Sequence, residues 1–279
     1  MLDAAACVGS HDILLITLDT LRYDVAERAR AQGQTPYLAS LLAHAGGGGA
    51  WERRHTPGSF TWAAHQAFFA GFLPTPASPG PHPRLFAMAF EGSETTTPRT
   101  AVFEAPDLVT GLRARGYHSI CAGGVGFFNE RTPLGCVLPQ LFDEHRWCRE
   151  FGVTAPDSTR AQVDWVRERL AALDPGTRAF CFVNVSALHQ PNCHYIPGRE
   201  RDDAQTQGAA LAYVDGQLEP LLTALRRRAP LLAIICSDHG TAYGEEGYVG
   251  HRLGHPVIWE VPYAELQLPQ LPAHARGAA

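Results

Sequence analysis

Asp12-Ile-Leu-Leu-Ile-Thr-Leu18, followed at once by Asp19, is the stretch on which the fold turns. A continuous apolar and β-branched run of this length reads as a strand buried on both faces, the setting of a parallel sheet between helical layers. Arg178 to Val185 and Leu231 to Cys236 repeat the pattern, the latter running straight into Ser237-Asp238-His239-Gly240, and His118 to Ala122 is a shorter strand. Between these runs lie helical stretches with start and stop signals. Thr35-Pro36 opens one that reaches Ala45, Phe60 to Gly71 is a second, and Pro106 to Arg115 is a third, ended by Gly116. Asp157-Ser158 caps a fourth reaching Leu173, and Gln205 to Arg228 is a fifth. The alternation predicts an α/β fold with a mostly parallel central sheet sandwiched by helices, in one domain over 1–279. In such sheets ligands bind beyond the carboxyl ends of the strands, where Asp19 and Asp238-His239 fall.

The 279 residues include 23 basic and 28 acidic ones, for a net charge of −5, and every basic residue is arginine. A chain without lysine performs no Schiff-base chemistry and has no Walker-type phosphate loop. The acidic balance argues against a nucleic-acid partner, and Arg226-Arg227-Arg228 reads as cations closing a helix. Seven cysteines, an odd count without a Cys-x-x-Cys pair, support neither a disulfide framework nor a zinc ribbon. With no leader-like segment and only strand-length apolar runs, the expected compartment is the cytoplasm, with no membrane partner. Phe72 to Arg99 is crowded with Pro, Gly, Ser and Thr and reads as a long irregular loop, a candidate lid (72–99).

Asp19, Asp238 and His239 offer two carboxylates and an imidazole, a set that suits zinc, manganese or iron better than calcium. On spacing alone an alternative stays open, in which Asp19 only caps a turn and Asp238 only ends a strand.

Seven short stretches, in one order, resemble the alkaline phosphatase and sulfatase superfamily. They are Ile13 to Asp24, Thr35-Pro36-Tyr37-Leu38, Phe60 to Pro74, Leu188-His189-Gln190-Pro191, Tyr213-Val-Asp215, Ser237-Asp238-His239-Gly240, and Gly250-His251 with Val261-Pro262. The resemblance implies an alkaline-phosphatase-like fold, lacking the C-terminal subdomain of sulfatases. It puts Thr61 at the nucleophile position and makes Asp19, Thr61, Asp238 and His239 the ligands of a divalent metal ion, zinc or manganese, as in single-metal phosphotransferases. A second metal is left open. Sulfatases need a convertible cysteine or serine at that position, with lysines around the sulfate, so a true sulfatase is disfavoured. Thr20 stands where many relatives carry a second acidic ligand.

Further roles follow from the same resemblance. His251 would bind phosphate or protonate the leaving oxygen, and His189 would contact the transferred group. His194 and His255 are candidate substrate contacts, with a structural role as the alternative. His65, one helical turn beyond Thr61, would orient or deprotonate it. Arg22, Asp24, Asp215 and Asn184 are read as structural. The implied activity is hydrolysis or transfer of small-molecule phosphate or phosphonate esters through a Thr61 intermediate. The alternatives are a phosphomutase, a hydrolase of another ester, and a non-catalytic ligand- or partner-binding member.

Overall fold

The structure, a computed structural model, describes residues 3–44, 48–71 and 107–272, so the candidate lid at 72–99 lies outside the described residues. The strands are β1 (Asp12–Leu18), β2 (Glu52–His55), β3 (Tyr117–Ala122), β4 (Glu144–Arg146), β5 (Arg178–Val185), β6 (Leu231–Cys236), β7 (Ala242–Tyr243), β8 (Val249–Gly250) and β9 (Glu260–Leu268). The α-helices are α1 (Ala4–Cys7), α2 (Tyr23–Ala31), α3 (Pro36–His44), α4 (Thr61–Ala70), α5 (Leu108–Arg113), α6 (Pro133–Val137), α7 (Ser158–Ala172), α8 (Ala204–Arg228) and α9 (Pro256–Trp259).

One seven-stranded sheet runs β2-β9-β6-β1-β5-β3-β4, and β7 pairs with β8 in a separate ribbon. The inner strands β6, β1, β5 and β3 are parallel, as is β4 on β3, whereas β9 and β2 are antiparallel. β1 is central and buried along its whole length. Its residues alternate between two cores. Leu14, Ile16 and Leu18 pack with side chains of α2, α3, α7 and α8, while Ile13 and Leu15 pack with Trp62 and Phe69 of α4 and Val109 and Leu112 of α5. That double burial is why the strand reads as an unbroken apolar run.

The mostly parallel sheet between helical layers matches the expectation, with three strands added, one of them the short edge strand β4 on β3. The sheet does not stop at β6: β9 lies antiparallel against it, its alternating burial interrupted by Pro262, a residue that argues against a strand in a sequence. β2 is an exposed Glu-Arg-Arg-His edge with no apolar signal at all. The arginines at 226–228 do close α8, and Arg228 also donates to the carbonyls of Leu170, Leu173 and Thr177 and pairs with buried Asp12. Asp215 accepts from the amides of Tyr37 and Leu38 in the first turn of α3.

Candidate metal and phosphoryl site

Because β6 and β5 flank β1, whatever follows their carboxyl ends is brought together. Asp19 leaves β1, Asp238-His239 leaves β6, and Asn184 near the end of β5 is registered beside Thr17. The loop after β6 can lie this close because residue 240 is glycine. A Cβ there would stand 1.8 Å from the Val257 carbonyl oxygen, and the Gly240 amide donates to Ile258 O at 2.7 Å.

Asp19, Asp238 and His239 are buried, and their candidate ligand atoms lie within 4.8 Å of one another. Asp238 Oδ1 accepts from the amides of Thr20 (3.1 Å) and His239 (3.0 Å). Thr20 takes a left-handed φ of 63° where its amide makes that bond, a strained backbone for a β-branched residue. Asp19 Oδ2 accepts from Asn184 Nδ2 at 3.0 Å. The second oxygens, Asp19 Oδ1 and Asp238 Oδ2, are buried without a hydrogen-bond partner among the described residues. His239 donates through Nδ1 to the Gly240 carbonyl (2.8 Å), so its Nε2 is the unprotonated, accepting nitrogen.

Burial, then the neighbouring Asp238, pushes the Asp19 carboxyl up to about 6, and burial pushes Asp238 up to about 7. Burial also lowers His239, keeping its imidazole neutral.

Thr61 is the first residue of α4 and is buried. Thr61 Oγ1 lies 3.3 Å from His239 Nε2 and 3.5 Å from Asp19 Oδ2. His65, on the next turn, meets the Thr61 backbone and not its hydroxyl: Nδ1 donates to the Thr61 carbonyl at 2.7 Å, and Nε2 lies 3.1 Å from Thr17 Oγ1. Rings of Phe68, Phe128 and Phe182 stand edge-on around it, and burial lowers its pKa to about 3.

No protein-family model and no curated protein sequence matches the chain. Solved structures do. The soluble domain of lipooligosaccharide phosphoethanolamine transferase A from Neisseria meningitidis is 15% identical, with a TM-score of 0.61 over 91% of this chain and 75% of that one. The C-terminal periplasmic domain of EptC from Escherichia coli is 12% identical, with a TM-score of 0.62 over 94% and 74%, and its zinc complex is similar at 0.58. A Vibrio parahaemolyticus protein of the alkaline phosphatase superfamily is 15% identical, with a TM-score of 0.57 over 95% and 62%. The chain has an alkaline-phosphatase-like fold.

These neighbours also correct the compartment. They include periplasmic domains and an integral membrane enzyme, which points away from the cytoplasmic location expected from the sequence. The cysteine count carried no such information: Cys7, Cys121, Cys181 and Cys236 are buried core residues, so their lack of partners reflects packing. Among the described residues no helix is long and apolar enough to cross a membrane.

In this alkaline-phosphatase-like frame the outer histidines divide. The His251 ring lies 4.7 Å from that of His239 and 5.8 Å from that of His189, and both His189 and His251 line the cavity that opens on Thr61. Burial, then His239, lowers His251 to about 3, and its Nδ1 has no partner among the described residues. His189 donates through Nδ1 to the Gln190 carbonyl (2.6 Å). His194 lies against the Tyr195 ring at 4.3 Å. His255 caps α9, accepting from the Val257 amide, and faces Glu246 at 3.8 Å. The structure thus places both away from the cavity lining.

Three residues that touch the site were read otherwise or not at all. Asn184, read as structural, bonds Asp19 directly. Thr17 links Asn184 to His65, donating to the His65 ring because His65 Nδ1 holds the proton. The signal for both was present: each is the one polar side chain past the first residue of its strand, and a buried polar group needs a partner. Arg252, which lines the cavity, directly follows His251.

Proposed function

We propose that the protein transfers or hydrolyses phosphoryl groups of phosphoric esters at a divalent metal ion held by Asp19, Asp238 and His239, with Thr61 as nucleophile. The observation that carries this reading is the pair of orphaned buried oxygens, Asp19 Oδ1 and Asp238 Oδ2, beside the unprotonated Nε2 of His239. Two buried carboxylates next to a neutral imidazole, with no arginine in a salt bridge to either among the described residues, make an O,O,N donor set that fits zinc or manganese. When bound, such an ion would balance the carboxylate charge, acidify the Thr61 hydroxyl and polarise a phosphoryl oxygen.

The chain's own residues do the rest. Asp19 Oδ2 and His239 Nε2 flank Thr61 Oγ1 and aim its lone pairs into the cavity. His65 fixes the Thr61 carbonyl, and with both ring nitrogens engaged and its pKa near 3 it is a positioning residue rather than a base. Attack of Thr61 Oγ1 on phosphorus forms the O–P bond and releases the ester alcohol. Water or an acceptor alcohol then takes the phosphoryl group from the threonine. His251, held neutral by burial with one ring N–H to donate, is the cavity imidazole placed to bond the phosphoryl and leaving oxygens, and His189, its Nδ1 proton given to the Gln190 carbonyl, is placed to accept from an attacking water or acceptor alcohol.

The test is turnover of an aryl phosphate, an aryl phosphodiester, an aryl phosphonate and an aryl sulfate by protein stripped of metal and reloaded with zinc or manganese. Metal-dependent cleavage of a phosphorus ester supports the reading. Metal binding without turnover of any of them would favour a non-catalytic member of the fold.

A further inference from the structure

The cavity beside Thr61 has a volume of about 510 Å³, within the range that holds a drug-sized ligand and far beyond what a phosphoryl group fills. Its lining is of two kinds. Thr61, Asn129, Thr132, His189 and His251 supply the polar side chains, and Val125, Phe127, Leu134 and Val153 supply an apolar part. No carboxylate lines it among the described residues, and its one permanently charged member is Arg252.

Arg252 is placed with care. Its backbone takes a left-handed φ of 70°, uncommon for a non-glycine residue and of a kind that clusters at functional sites. Its amide donates to the Ser59 carbonyl at 2.9 Å, tying it to the chain two residues before Thr61. The guanidinium lies over the Phe60 ring, 5.5 Å from the centroid, with no acidic partner among the described residues. Arg22, by contrast, pairs with Asp24 and Glu245, Arg54 with Glu52, and Arg113 with Asp143. A fixed cation without a counter-charge, on a cavity that opens on a hydroxyl nucleophile, is an anion site.

We propose that Arg252 is the anion-recognition residue of this cavity, and that Phe127, Leu134 and Val153 select phosphoric esters whose organic group is apolar. This rests on the phosphoester reading above and deepens it. The phosphoryl oxygens meet Arg252 and His251, while an aryl or alkyl substituent displaces water from the apolar lining.

Titration calorimetry of the zinc-loaded protein with phenylphosphonate and methylphosphonate, both resistant to hydrolysis, tests it. Phenylphosphonate should bind at least about tenfold tighter, from burial of its ring. Arg252→Gln should weaken both ligands by about 10- to 100-fold and leave their ratio unchanged, with Arg252→Lys recovering part of the loss. Leu134→Asn, at a half-buried position, should reduce the phenyl-to-methyl ratio and spare methylphosphonate. Equal binding of the two phosphonates, or Arg252→Gln binding as wild type, would overturn the inference and leave the phosphoester reading standing. Binding of neither by the wild-type protein would overturn both.

Discussion

The carboxamide of Asn184 bridges Asp19 and Thr17: its Nδ2 stands 3.0 Å from Asp19 Oδ2 and 3.1 Å from Thr17 Oγ1, while its Oδ1 accepts from the Val125 amide at 3.0 Å. The proton directions follow. Asn184 donates to Thr17, Thr17 donates to His65, and His65 donates to the Thr61 carbonyl, so a buried string of hydrogen bonds joins the carboxylate at one end to the nucleophile's backbone at the other. Outer partners of this kind typically change metal affinity by about 10- to 100-fold. Asn184→Ala should therefore weaken zinc binding by about that factor in a chelator competition, with circular dichroism still showing a folded protein.

Asp238 separates the cost of a buried charge from its use. Asp238→Asn keeps an oxygen to accept from the Thr20 and His239 amides but removes the charge that burial disfavours. The metal-free variant should melt at or above the metal-free wild type at pH 8. Zinc should raise its Tm far less than it raises that of wild type. A metal-free variant that melts well below wild type, or zinc stabilising both equally, would count against Asp238 as a ligand.

Metal affinity should climb with pH through the acid range. Asp19 and Asp238 have pKa values raised from 3.8 to about 6 and about 7, so binding below pH 6 must displace their protons, whereas burial lowers His239 and eases the loss of its proton. Apparent zinc affinity should rise roughly 10- to 100-fold per pH unit up to about 6 and flatten above about 7. Thermal stability of the metal-free protein is a poorer reporter. The raised carboxylates hold protons longer when folded and lose stability as pH rises from about 4 to 7, while His65 and His251, lowered from 6.5 to about 3, gain stability as pH rises from about 3 to 6.5. The two trends oppose each other.

Phosphorus esters should be preferred over sulfate esters. Threonine at position 61 cannot become a formylglycine, and the chain has no lysine to surround a sulfate. With matched aryl esters, a larger kcat/KM for the sulfate would reverse this ranking.

What the sequence disclosed depended on how each residue's signal is carried. β1, β5 and β6 were legible because burial on both faces leaves an unbroken apolar run, and Asp19 and Asp238-His239 were legible because they end those runs. β9 was hidden by Pro262, and β2 by an exposed edge with nothing apolar in it. His65 was legible as a neighbour of Thr61 from helical spacing, but spacing cannot say whether its ring meets the hydroxyl or the carbonyl. Arg252 could not be singled out, since a cation's lack of a partner is a property of three-dimensional surroundings. His194 and His255 were candidate substrate contacts with a structural role as the alternative, a choice residue type cannot make; one lies against Tyr195 and the other at a helix start.

Rapid acid quench of the metal-loaded protein during turnover of an aryl phosphate, followed by mass spectrometry of the peptide carrying Thr61, tests phosphoryl transfer through that residue most directly. The prediction is a phosphorylated Thr61 in the wild-type protein, a kcat/KM lowered by at least about 10³-fold in Thr61→Ala, and partial activity in Thr61→Ser. Wild-type turnover by Thr61→Ala, with no phosphate found on Thr61 of the native enzyme, would contradict it and assign the attack to water.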